Sequence, residues 1–433
     1  MYTVLLSGGS GKRLWPLSNN SRSKQYIKLL SKEDGSDNCS MVQRVWAQLE
    51  EAGLADNSII CAPKIQEEIL HNQLGGINIA LEPAQRDTFP AVALSCAFLR
   101  CKMGAADDDT VCVIPVDPYT DKTYFETVKK LPDVLERSGA QVALMGCRPD
   151  CPSSKFGYIV PKQDRDGYFE VDSFTEKPDY ESAIRLIQKG AVWNCGVFCL
   201  KIGDVLGHCE KYGIAPDYDE MFMTYDRFPR ISFDYEVLEK AQKLAAVVFD
   251  GLWKDLGTWN TLTDEMKRST VGLVKTEGCE NTFVINELDV PVVAMGVKDM
   301  VITASYDGIL VSGMEDSVRI KDVVSSLNAN PRYEERRWGT VQTVDLMEDS
   351  RLNAITRKMV VYAGKDLAGS YHSSRDKVWT MLGGEAKLVI DRQERVLRAG
   401  DVVRIDANTP HSFTAITDCR VLEVLFDKQN EEQ

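Results

Sequence analysis

The stretch "LSGGSGKRLWPLS", residues 6–18, sets Gly8, Gly9 and Gly11 beside Lys12 and Arg13, directly after the apolar run "TVLL". Glycines lack a Cβ, so their backbone N–H groups can close on an anion; Ser7 and Ser10 add hydroxyl donors and the two cations add charge. Lys24 follows a short way on. That chemistry is phosphate binding. A P-loop would need glycine where Leu6 stands and Ser or Thr where Arg13 stands. The dinucleotide fingerprint would need a third glycine at Leu14, so neither fits. What remains is another kind of phosphate cradle, or an ordinary strand-to-helix turn carrying solvated cations.

Two carboxylates form the second candidate group. Asp117 ends "VCVIPVD", at the carboxyl end of an apolar run that reads as a central strand, and Asp255 lies in the Gly- and Trp-flanked "GLWKDLGTW". An isolated Asp at a strand end is more often a turn or helix cap than a ligand. Mg²⁺, however, is usually held by one or two carboxylates together with substrate phosphates.

Eight segments in order give these residues a context. "LSGGSGKRLWPLSNNSRSKQYIKL" resembles the opening signature of sugar-1-phosphate nucleotidyltransferases, most closely the mannose-1-phosphate guanylyltransferases. "LEPAQRDTFPAVAL", "VIPVD", "KFGYI", "FTEKP", "WNCGVF", "SFDYEVLEK" and "WKDLGTW" resemble the later motifs of that family, and together they span roughly residues 1–265. The resemblance implies attack of a sugar-1-phosphate oxygen on the α-phosphorus of a nucleoside triphosphate, with pyrophosphate as leaving group. A phosphate is already anionic at neutral pH, so no general base is required. The barrier lies in joining two polyanions, which calls for cations, a divalent metal and backbone donors.

By family position, Gly8, Gly9, Gly11, Lys12, Arg13, Glu82, Arg86 and Asp87 are implied for the nucleotide. Lys24 and Arg13 are implied as the catalytic cations, and Asp117 and Asp255 as the Mg²⁺ ligands. Gly157, Tyr158, Glu176, Lys177 and Asn194 are implied for the sugar phosphate. A carboxylate at Glu82 suits the two adjacent donors on guanine's Watson–Crick edge, which favours GTP. Departures from the pattern at Ser7, Ser23, Asp87, Phe89 and Pro118 leave another triphosphate, CTP for example, or another sugar-1-phosphate open.

The elements that must hold these residues alternate up to about residue 265. "TVLL", "NSIICAP", "TVCVIPVD" and "QVALMGC" read as strands; "NCSMVQRVWAQLEEAG" and "FPAVALSCAFLRCKM" read as helices, the first ending at Gly53. Such βαβ order predicts an α/β, Rossmann-like domain with a mainly parallel sheet, over 1–265, whose ligands gather beyond the carboxyl ends of the strands. Short β-rich pieces predict a small β connector over 266–330, "SLNANPRYEERRWG" reads as a polar linker, and recurrent short strands predict a cupin-like β-barrel over 331–433.

The 433 residues carry 65 carboxylates against 51 Lys plus Arg, a net charge of −14. That balance argues against nucleic-acid and anionic-membrane partners while allowing a local cationic cluster. Twelve cysteines without a CxxC pair, several such as Cys96 and Cys112 inside apolar runs, read as buried thiols of a reducing, cytoplasmic compartment. A homodimer through the connector is implied by the resemblance.

In the barrel, "YHSSRDKVWTMLGGEAKLV" and "AGDVVRIDANTPHSF" resemble the two cupin motifs, with Asp406 and Asn408 replacing the second motif's Pro and Gly. Bifunctional relatives carry a phosphomannose isomerase there, its metal held by Gln, two His and Glu. Here Ser370 stands for the Gln and Lys377 for the Glu, leaving His372 and His411. An ammonium offers no lone pair and repels a divalent cation, so no isomerase activity is expected. A structural barrel, or a metal-free pocket in which Lys377 and Arg375 meet a phosphate, are the two readings.

Overall fold

Tyr2–Leu6 pairs in parallel with Ser58–Pro63 on one side and Thr110–Pro115 on the other, Val4 lying opposite both Ile59 and Val113. Every residue of Ser58–Pro63 is buried, as expected for a strand covered on both faces. The computed structural model describes residues 1–9, 12–31, 38–327, 330–348, 353–367 and 375–426. Gly11, Ser370 and His372 lie outside the described residues.

The chain divides into two compact units, the first built from residues 1–9, 25–67 and 76–257, the second from 10–24, 68–75 and 258–433. The first is an α/β domain around a nine-stranded sheet. Its order is Ile79–Glu82, Ser58–Pro63, Tyr2–Leu6, Thr110–Pro115, Val192–Lys201, Val142–Cys147, Leu244–Phe249, Tyr168–Thr175, Tyr158–Arg165. The run Ile79–Glu82, Ser58–Pro63, Tyr2–Leu6, Thr110–Pro115 is parallel throughout, as expected, and Val142–Cys147 pairs in parallel with Leu244–Phe249. Val192–Lys201 is inserted antiparallel between Thr110–Pro115 and Val142–Cys147.

Helix Thr88–Met103 is apolar nearly all round and buries Phe89, Val92, Leu94 and Leu99 in the main core. Each such side chain contributes about 1.5–3 kcal/mol of hydrophobic burial. Helix Met41–Glu51 starts at a capping box between Ser40 and Gln43 and stops at Ala52, with Gly53 at φ +70°.

In the second unit the connector coils. Thr270–Val271, Phe283–Asn286 and Met300–Ser305 stack in parallel, and so do Val274–Glu277 and Val292–Met295. Successive turns thus contribute rungs to two short sheets. The barrel is antiparallel: one sheet runs Tyr333–Arg336, Gly339–Glu348, Asn353–Val361, Cys419–Phe426, Asp376–Gly383, Val402–Ile405, and the other Gln393–Arg398, Glu385–Ile390, His411–Ala415. Trp338, Trp379, Phe413 and Val421 lie in its core. The expected polar linker is a correction. Tyr333–Arg336 is an edge strand of the barrel, and Glu335 is buried within 3.7 Å of Arg22.

None of the twelve cysteines is in a disulfide, and Cys96 and Cys112 are buried. Among the described residues no helix is long and apolar enough to cross a membrane.

Candidate active site

Parallel strands end at one edge of a sheet, and three predicted residues arrive there for that reason. Gly8 follows Tyr2–Leu6, Glu82 closes Ile79–Glu82, and Asp117 follows Thr110–Pro115. The Glu82 carboxylate is buried, accepts a hydrogen bond from the Tyr225 hydroxyl at 2.7 Å, and turns its other oxygen toward Gly8, 4.0 Å from where a Cβ would stand. Burial, with the charge of Asp87 adding and Tyr225 opposing, pushes the Glu82 carboxyl up to about 7. Tyr225 was not singled out from sequence, and its segment "MFMTYDRF" carries no motif that would reveal it.

Asp255 is delivered by a two-stranded ladder. Trp253–Asp255 runs antiparallel to Pro118–Thr120, with Asp255 opposite Pro118, the residue after Asp117. Asp121 fixes this arrangement by accepting from the Leu252 N–H at 2.6 Å and from the Thr123 N–H at 2.8 Å. Among the described residues there is no cluster of three or more His, Cys, Asp or Glu side chains that could hold a metal alone. Two hard carboxylates from neighbouring strands fit Mg²⁺, which completes its shell with water and substrate phosphates.

A third group assembles around Gly157. Tyr158 pairs with Thr175 in one direction and with Trp193 in the other, so Gly157 lies next to Glu176 and Asn194. The Asn194 N–H donates to the Gly157 carbonyl at 2.8 Å. A bulge between Asn194 and Val197 turns the Asn194 side chain, whose Oδ1 accepts from the Gly196 N–H at 3.0 Å and whose Nδ2 donates to Asp234 at 3.0 Å. Lys177 sits at φ +45° and is paired with Glu176. Burial disfavours its charge, but the hydrogen bond and charge of Glu176 prevail and hold the Lys177 ammonium above its ordinary range. Burial and Glu176 together push the Asp234 carboxyl up to about 7. Asp234 belongs to the quoted segment "SFDYEVLEK" but was not named from sequence; its motif position was the available signal.

Residues 86–89 act as a latch. Arg86 donates to the Phe228 carbonyl at 2.7 Å, the Phe233 N–H to the Thr88 hydroxyl at 2.8 Å, and the Phe89 N–H to the Ile231 carbonyl at 3.2 Å. These bonds fix the segment that carries Asp234. Asp87 caps helix Thr88–Met103 through the Thr88 N–H at 2.8 Å with φ 70° and ψ −175°, backbone values that only glycine adopts without strain. Strain held at Asp87 and a left-handed backbone at Lys177 both fall on residues singled out for chemistry.

Several expectations shift in character. The Ser7 hydroxyl, read as an anion donor, is buried and shared with the Tyr26 hydroxyl at 2.8 Å and Gln25 at 3.2 Å. Phe89 packs among Phe228, Tyr212 and His208 in the core. Tyr158 is buried, and its hydroxyl exchanges hydrogen bonds with the backbone of Ser153 at 3.0 Å. Lys12, Arg13 and Lys24 fall on segment 10–24 of the second unit. There Arg22 pairs with Glu287 at 2.8 Å, Asn19 with Asp307 at 2.7 Å, and the Ser305 hydroxyl donates to the Pro16 carbonyl at 2.9 Å.

Gly157 gives a direct test. A Cβ there would stand 2.5 Å from Glu176 Oε2, 3.0 Å from Phe174 and 3.3 Å from Asn194. Gly157→Ala should leave the fold intact and raise the KM for the sugar phosphate about tenfold or more, because the displaced carboxylate loses its hydrogen-bonding position. Steady-state kinetics with each substrate varied in turn checks this; an unchanged sugar-phosphate KM would separate Gly157 from that site.

Comparison with known proteins bears on the family and the fold. Residues 2–271 match the nucleotidyl transferase family, and residues 358–425 match the cupin domain family. A mannose-1-phosphate guanylyltransferase of Escherichia coli is 26% identical, the match covering 99% of this chain and 98% of that protein. The alginate biosynthesis protein AlgA of Pseudomonas aeruginosa is 27% identical over 95% of this chain and 90% of that protein. A crystal structure of mannose-1-phosphate geranyltransferase from Thermus thermophilus superimposes with a TM-score of 0.63 at 28% identity, covering 76% of this chain and 99% of that one.

Proposed function

This chain belongs to the nucleotidyl transferase family, and we propose that within it the enzyme joins GTP and mannose-1-phosphate to give GDP-mannose and pyrophosphate. An oxygen of the sugar phosphate forms a bond to the α-phosphorus, the bond from that phosphorus to the α,β-bridging oxygen breaks, and pyrophosphate leaves with the electron pair. The observation that carries this reading is the placement of Asp255 opposite Pro118, beside Asp117, at the sheet edge where Gly8 and Glu82 also arrive. Asp117 and Asp255 would hold Mg²⁺, which when bound offsets charge on the phosphates.

In this reading Gly8, Gly9 and Gly11 present backbone donors to the triphosphate, with Lys12 and Arg13 adding charge and Lys24 serving the α-phosphate. Glu82 accepts from the guanine edge, Arg86 and Asp87 shape the same side, and Tyr158 contributes through its backbone. Glu176 and Asn194, with Asp234, receive sugar hydroxyls at Gly157, while the charged Lys177 meets the sugar phosphate. The likeness to mannose-1-phosphate guanylyltransferases supports both substrates. Pyrophosphate release with GTP, ATP, CTP and UTP, each crossed with mannose-1-phosphate and glucose-1-phosphate, tests it. Fast release only with GTP and mannose-1-phosphate is expected; another productive pair would move the substrates and keep the mechanism.

Glu82 makes the nucleotide step depend on pH. Guanine's two donors require the ionised carboxylate, and the free group titrates at about 7. Binding therefore releases a proton below that point, so the KM for GTP should rise about tenfold per pH unit as pH falls under 7 and level off above it. Glu82→Gln should flatten the profile. A KM for GTP that is constant from acid to neutral pH in the parent enzyme would remove Glu82 from base recognition.

We infer a homodimer through the connector, a reading supported by the exposed Val293, Met295, Ile309 and Val311 there. Sedimentation of the full chain reads it.

A further inference from the structure

The barrel encloses a cavity of about 550 Å³, within the range of small-molecule sites. Among its described lining residues, cations outnumber carboxylates: Arg332, Arg336, Arg357, Arg375 and Lys377 stand against Glu334 and Glu423. Each carboxylate is already engaged. Glu334 pairs with Arg336, and Glu423 accepts from Trp379 Nε1 at 2.9 Å and lies 3.8 Å from Arg357. The described lining thus carries five cationic side chains and two carboxylates, in a protein whose net charge is −14.

Its floor explains why a metal is not what balances that charge. His411 directs Nδ1 to the Thr409 carbonyl at 2.7 Å, which leaves Nε2 as the acceptor nitrogen. The buried Lys377 ammonium lies 3.2 Å from that nitrogen and donates to it. The lone pair that would coordinate a metal is thereby occupied by a hydrogen bond, and the charge a metal would supply comes from the chain itself. Lys377 also lies 5.4 Å from the centre of the Trp379 ring, a cation–π contact that supports charge at this depth. Burial lowers the Lys377 ammonium below its ordinary range, and Glu423 acts against that shift.

Most of the remaining wall is apolar and includes Trp338, Trp379 and Phe413. Guanidinium forks match a tetrahedral oxyanion better than a planar carboxylate when several converge, because each can take a different oxygen. We propose that this cavity is a metal-independent binding site for a small phosphorylated ring compound. Its phosphate sits among Arg357, Arg375 and Lys377, and its ring rests on the aromatic wall. The site is separate from the transferase chemistry and does not depend on the substrate assignment above.

The test is calorimetry on the full chain in excess EDTA, with mannose-6-phosphate, GMP, inorganic phosphate and unphosphorylated mannose as probes. Hydrogen exchange on the same samples locates any binding. At least one phosphorylated ring compound should bind in EDTA, more tightly than inorganic phosphate and at least tenfold more tightly than mannose. Protection should appear in Asp376–Gly383 and His411–Ala415. Mannose-6-phosphate and GMP, compared directly, identify whether the ring is a sugar or a nucleoside. The double variant Arg357→Gln, Arg375→Gln should weaken binding at least tenfold while pyrophosphate release continues at the parent rate, which also reports that it folds. Silence with both ring phosphates, affinity unchanged in the double variant, protection confined to residues 1–257, or inorganic phosphate binding as tightly as the ring compounds would overturn the proposal.

Discussion

Asp117→Asn is expected to lower kcat for pyrophosphate release about 10³-fold or more, equivalent to about 4 kcal/mol of transition-state stabilisation. The substitution keeps the size of the side chain and one oxygen but removes the charge a divalent cation requires. Asp255→Asn should act in the same direction, since in the proposed mechanism Asp255, set opposite Pro118 by the ladder, would share one ion with Asp117. Because the pair would share one ion, the double variant should be little worse than the worse single one. A raised Mg²⁺ requirement in the single variants, with unchanged thermal unfolding, distinguishes loss of a ligand from loss of the fold. If either variant retained more than a tenth of parental kcat at ordinary Mg²⁺, that residue would have to be removed from the metal site.

The parallel half of the first sheet was legible because its strands are apolar on both faces. Ser58–Pro63 and Val142–Cys147 are buried along their whole length, and the sequence runs say so directly. Strand direction is a different matter. Val192–Lys201 is nearly as buried, and nothing in an apolar run records whether it runs with its neighbours or against them. Its antiparallel insertion beside Thr110–Pro115 follows the hairpin Tyr158–Thr175 and helix Tyr180–Gln188, and its pairing back onto Tyr158 and Ile159 is a tertiary relation. The connector's coil was illegible for a related reason: Thr270–Val271 and Phe283–Asn286 are too short to declare a pairing partner. "PRYEERRWG" misled because its charges look solvated, whereas Arg22 and Gln73 receive Glu335 in a buried position.

At the site, the family resemblance marked the chain positions of Glu82, Asp117, Glu176 and Asn194, but not what each side chain touches. Asp234 shows the limit well. Its place depends on Asn194 reaching across from a bulged strand and on the latch at residues 86–89, and neither is encoded near residue 234. Ser7 and Phe89, two departures that could have altered substrate choice, instead satisfy an internal hydrogen-bond cluster and fill the core. These two substitutions therefore weigh less against the guanylyl reading than their motif positions imply.

Lys24→Met should lower kcat about 10²–10³-fold while changing the KM for GTP much less. The reaction brings a phosphate dianion to an already anionic triphosphate, so a cation serving the α-phosphate is worth most when negative charge on the transferring group is greatest. Lys24 opens the turn Lys24–Tyr26, whose next residue, Gln25, donates to the Ser7 carbonyl at 2.8 Å and whose Tyr26 hydroxyl meets Ser7 and Gln66. Those bonds belong to Gln25 and Tyr26, so removing the Lys24 ammonium spares them. Lys177→Met offers the contrast. It should raise the KM for the sugar phosphate with a smaller fall in kcat, because in the proposed role Lys177 would meet a charge present before reaction as well as during it. Equal KM-type effects in both variants would reduce Lys24 to a ground-state phosphate contact and transfer the catalytic role to Arg13. A kcat loss confined to Lys24→Met would identify it as the cation that acts on the transition state.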